Sequence, residues 1–207
     1  MAETLSNLFQ QFLLYMQSGG FVMWPLLVLT IILWYAIGYR FHTLKRGSKK
    51  SVRVLIRKYL TGKRQKTKGL IDRAIVDAIE AVNGKCDGKR GREIIEDLFF
   101  PYYQDLKRYR KVISTIVMVA PLIGLLGTVI GMIETFDSLA SMALFTQGGG
   151  IAAGISQALF TTQLGLVVAV PGLIMGRMLD NKANMMELEL EQIKDILCAE
   201  KGLDNEI

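Results

Sequence analysis

Three stretches of this chain carry no Asp, Glu, Lys or Arg: Phe21–Tyr39, Val112–Ile133 and Ser138–Gly176. The first two run 19 and 22 residues, and the third is longer still. About 20 apolar residues cross a hydrocarbon core of roughly 30 Å, and a buried helix of a soluble protein rarely stays uncharged that long. The apolar content of 51% would decide nothing by itself; its distribution does. An all-α fold is expected, with three transmembrane helices and long cytoplasmic helical extensions of the second and third spans.

The basic residues set the orientation. Of 25 Lys and Arg, 21 lie between Arg40 and Lys111, and the other four follow the third span. The N-terminal segment and Glu134–Gly150 have none. Positive charge is retained in the cytoplasm, so the N-terminus is expected outside and the C-terminus inside. The net charge of +6 thus reports topology. Its expected partners are anionic lipids at the cytoplasmic face. No aromatic-basic module of the nucleic-acid-binding kind is present.

The chain divides into an amphipathic interfacial helix over 1–18, a first span over 19–39 and a basic cytoplasmic helical loop over 40–91. A long helix over 92–136 includes the second span. A periplasmic loop covers 137–150, the third span with its extension 151–200, and a tail 201–207. In the first segment Leu5, Leu8, Phe9, Phe12 and Met16 recur at helical spacing. No positive n-region precedes them, so the segment does not read as a cleavable signal. Cys86 and Cys198 fall in the expected cytoplasm as reduced thiols, without metal-site spacing.

Two stripes leave the membrane. Ile95, Leu98, Tyr102, Leu106, Tyr109, Ile113 and Ile116 predict one helix running into the second span, bent but not ended by Pro101. Leu179, Ala183, Met186, Leu190, Ile193 and Leu197 form a heptad seam below the third. Both stripes need cover, and self-association is the expected source.

Inside the membrane, Ala120, Gly124, Gly127 and Gly131 line one face of the second span. Gly154, Ala158, Thr161, Gly165, Ala169, Gly172 and Gly176 line one face of the third. Small stripes let backbones approach closely. Thr128 and Thr162 border them, 17 and 15 residues from Lys111 and Arg177. At about 1.5 Å per residue they reach the same depth within roughly 3 Å. Gln157 lies further out. These polar groups either bond their own helix carbonyls and cross-link helices or mark an ion path. No ionisable residue lies mid-span; Glu134 and Asp137 stand at the outer edge, where protons would arrive. A titrating group would have to come from another chain.

The runs APLIGLLGTVIGM (Ala120–Met132) and GISQALFTTQLGLVVAVPG (Gly154–Gly172) resemble the ExbB/TolQ family of proton-channel proteins, distantly related to MotA. The resemblance implies a homo-oligomer, a pentamer in the family's pattern, around a single-span ExbD- or TolR-like subunit whose membrane aspartate carries the proton. Thr128 and Thr162 match the family's pore threonines, with Gln157 and Thr161 beside them. Gln157 departs from the pattern, which places glutamate there; an amide hydrogen-bonds but carries no proton. The implied function is a stator subunit converting proton-motive force into work on a TonB-like transducer for outer-membrane uptake, or TolQ-type work in envelope maintenance. A non-conducting oligomeric scaffold remains the alternative, with the glycines Gly124, Gly127, Gly131, Gly154, Gly165 and Gly172 serving packing alone. With no phosphate loop, no metal spacing and one histidine, His42, neither an enzyme nor a cofactor is expected.

Overall fold

The computed structural model describes residues 2–45, 47, 51–60, 69–85, 88–142 and 149–204. Among these there is helix and no strand. The helices are α1 (Ala2–Ser18), α2 (Met23–Thr43), α3 (Val52–Leu60), α4 (Leu70–Lys85), α5 (Gly88–Lys107), α6 (Arg110–Met142) and α7 (Gly149–Asp204). Stretches long and apolar enough to cross a bilayer lie at Met23–Thr43, within Glu93–Ala140 and within Ala152–Cys198, as the uncharged runs require. Contacts divide the chain into two units: Met1–Ile37 with Lys111–Gly176, and Gly38–Arg110 with Arg177–Ile207.

The first unit turns many of its large apolar side chains outward. Leu122, Leu159 and Leu173 are 62%, 67% and 62% exposed, an arrangement water would penalise and lipid tails accept. Its interior combines small residues, with Ala120 and Thr161 fully buried, and large apolar side chains of α2 such as Leu26 and Leu33. Of the stripe on α1, Met16 is buried; the side chains of Leu5, Leu8, Phe9 and Phe12 lie outside the described residues, as does Cys86.

The second unit packs in the ordinary soluble way, with α4 against α3 and α5. The Tyr102 hydroxyl donates to Asp77 Oδ2, tying α5 to α4. Lys107–Glu187 and Lys194–Glu96, each 2.8 Å, tie α5 to the end of α7 in antiparallel register. The heptad seam from Leu179 to Leu197 is buried throughout, with Leu190 and Ile193 wholly inaccessible. That cover comes from within the chain. The seam therefore needs no second copy, contrary to expectation.

The helix expected from Ile95 into the second span is two helices. Pro101 sits inside α5, which continues past it. The interruption falls at Arg108–Tyr109, where Tyr109 adopts φ 59°. Neighbouring rings and charges hold this left-handed residue. Tyr39 meets the Tyr109 ring edge-on at 5.1 Å, and Arg40 Nη2 donates to the Leu106 carbonyl in the last turn of α5 at 3.4 Å. Arg40 is itself 1% exposed and paired with Asp180 at 2.6 Å.

Candidate functional site

The small stripes of α6 and α7 face one another inside a single chain. A Cβ added at Gly124 would stand 3.0 Å from the Thr161 carbonyl oxygen and 3.2 Å from the Thr162 Cα. One added at Gly131 would stand 2.7 Å from the Gly154 oxygen, and one at Gly165 2.9 Å from the Ala120 oxygen. At Gly127 it would strike the Thr161 hydroxyl. The two backbones are in contact along this seam, which is why glycine recurs. Further down α7, Gly172 makes room for Leu33 of α2 and Val117 of α6. The stripes thus serve packing within the chain.

Thr161 belongs to the seam. It is fully buried and donates to the Ala158 carbonyl at 2.9 Å. Thr128 and Thr162 lie beside the seam and are half-buried. Their hydroxyls donate to Leu125 O at 2.7 Å and Ala158 O at 3.1 Å. Helical periodicity fixes their side. Gly127 and Thr128 fall on opposite sides of the Gly124–Gly131 line, and Thr161 and Thr162 on opposite sides of the Ala158–Gly165 line. Because Gly127 meets Thr161, Thr128 and Thr162 share the other flank. Gly124 opposite Thr162 and Gly131 opposite Ala158 set the register. These contacts leave the two threonines one to four residues apart in register, about 1.5–6 Å, a range that includes the 3 Å expected from chain counting.

Gln157 is not with them. It lies about 140° around α7 from Thr162, and its amide nitrogen is 2.6 Å from where a Cβ of Gly20 would be. Gly20, at φ 66°, forms the turn between α1 and α2. Phe160, on the same side, stacks edge-on with Tyr15 of α1 at 5.0 Å. That side of α7 is therefore occupied by α1 and α2. Glu134 and Asp137 are exposed near the end of α6. Thr135 was missed in the sequence: it is buried, donates to Gly131 O at 2.8 Å and fills the space beside Gly154. Continuing the Gly127–Gly131 spacing by four would have found it. No group of three or more metal-ligating side chains occurs among the described residues.

Residues 66–192, which include both threonines and the whole seam, match the MotA/TolQ/ExbB proton channel family. The chain belongs to that family. Relatives with ExbB names are similar to it. A putative biopolymer transport protein ExbB-like 3 from Synechocystis sp. is 41% identical over 70 residues, 33% of each chain. Biopolymer transport protein exbB1 of Vibrio cholerae is 35% identical over 81 residues, 39% of this chain and 36% of its own length. ExbB of Aquifex aeolicus is 34% identical over 90 residues, 44% of this chain and 60% of the relative. The match thus spans about a third of the length of the first two. This is an ExbB-like membrane protein of a channel and transport family.

Proposed function

We propose that the chain is the multi-span stator subunit of a proton-driven motor in the bacterial inner membrane, with its N-terminus periplasmic and its C-terminus cytoplasmic. Several copies, a pentamer in the family's pattern, would surround a single-span ExbD/TolR-like partner and drive a TonB-like transducer, with anionic lipid around the cytoplasmic loop. The observation that carries this reading is the shared flank of Thr128 and Thr162, away from the side of α7 where Gln157 and Phe160 meet the α1–α2 turn and α1.

The threonine chemistry then follows. Each hydroxyl proton is committed to a carbonyl of its own helix, so what the flank offers is an oxygen acceptor. An acceptor favours the protonated, neutral form of a partner's aspartate, because only that form donates. The threonines would hold the loaded carboxyl and release it when it ionises. Gln157, on the far side, would position the α1–α2 turn.

Thr128→Val with Thr162→Val keeps the shape and removes both acceptors, at about 1–3 kcal/mol for each buried bond lost. The expected result is normal assembly with strongly reduced growth on energised uptake. Full activity of the double variant would leave the reading without its residues. The same carbonyl bonds also suit a second reading, a non-conducting scaffold in which both threonines are packing groups. That reading predicts an active double variant.

A further inference from the structure

We propose that Arg108, held against Tyr39 and Tyr109, binds the phosphate of an anionic phospholipid. Tyr39 is the last residue of the uncharged run Phe21–Tyr39, so it stands where hydrocarbon gives way to headgroups. The Arg108 guanidinium carbon lies 5.4 Å from the centre of the Tyr39 ring and 5.5 Å from that of Tyr109. Its Nη1 donates to the Tyr39 hydroxyl at 3.3 Å. Nearby, Phe41 is 60% exposed and Lys182 lies 5.9 Å from its ring centre, a second aromatic–cation pair at the same helix end.

The cations around Arg108 have carboxylate partners. Lys107 has Glu187 at 2.8 Å, while Arg40 and Arg110 share Asp180 at 2.6 and 3.4 Å. Among the described residues Arg108 has a ring on either hand and a neutral hydroxyl, and no carboxylate. Of these four cations, the one with no carboxylate among the described residues is the exposed arginine at the headgroup level. Aromatic neighbours restrain the guanidinium without consuming its donors. Of its five N–H groups one is used, and the fork that remains fits two oxygens of a phosphodiester. A membrane supplies that anion at that depth. The site is specific to one side chain, unlike the diffuse attraction of the basic loop, and it is independent of proton conduction.

The test is native mass spectrometry of the full chain released from nanodiscs of phosphatidylcholine with phosphatidylglycerol. The wild type is expected to retain phosphatidylglycerol, and Arg108→Gln to bind it about tenfold more weakly. Arg108→Lys, which keeps the charge and loses the fork, should fall between them. Arg73→Gln, an exposed arginine elsewhere in the same unit, should match the wild type. Circular dichroism checks that each variant is folded. Wild-type retention in folded Arg108→Gln, or an equal loss in Arg73→Gln, would overturn the site. Displacement of the lipid by inorganic phosphate would also count against a lipid ligand.

Discussion

At Gly165 an added methyl has nowhere to go. Its position lies 2.9 Å from the Ala120 oxygen and 3.3 Å from the Gly124 Cα, and both are backbone. Gly165→Ala should therefore cost about 1–3 kcal/mol, the usual size of an overpacking penalty. Gly38 provides the contrast, since a Cβ there meets nothing within 4 Å. Gly38→Ala should be neutral or stabilising, by up to about 1 kcal/mol, because alanine loses less entropy in a helix. Thermal unfolding of the two variants in detergent separates the cases, and equal behaviour would contradict the seam. The positions of the seam glycines and of Thr128 were legible in sequence because spacings of three and four define a helix face. The side on which Gln157 falls was not. That depends on where α1 folds back, and the turn at Gly20 leaves no periodic trace.

At the scale of elements, the break between α5 and α6 is the feature that periodicity concealed. The apolar stripe keeps its spacing through Leu106, Tyr109 and Ile113, so the pattern reads as unbroken although Tyr109 leaves the helical region. No Gly or Pro signals the change. Tyr109→Ala loses the ring and keeps the unfavourable backbone, whereas Tyr109→Gly loses the ring and relieves it. The alanine variant should be less stable by roughly 1–2 kcal/mol. The same junction holds Arg40, whose charge is buried against Asp180. Asp180→Leu strands that charge and should cost about 3–5 kcal/mol; adding Arg40→Met should recover much of the loss. A double variant no more stable than Asp180→Leu would show that the pair is not the reason for the cost.

For the whole molecule, the three spans were legible because lipid imposes length and the absence of charge together. Which surfaces remain for other chains was not legible, since a stripe in sequence does not say whether its cover is internal. Leu190→Ala tests this. It empties a core position and should destabilise the protein by about 2–5 kcal/mol, leaving the oligomeric state of the folded fraction unchanged by native mass spectrometry. Orientation is tested with Asp137→Cys in a background lacking Cys86 and Cys198. An impermeant maleimide applied to intact cells should label it. Labelling of Arg73→Cys instead would invert the topology.

The seam between α6 and α7 also limits how a current could pass. Where glycine backbones touch, no file of water molecules fits between the helices. A conduit using these two helices must run over their outer surface, and its second wall must be supplied by another molecule. Conductance should then vanish on dilution to single chains in a bilayer even while every helix stays folded, so leak would report the degree of assembly.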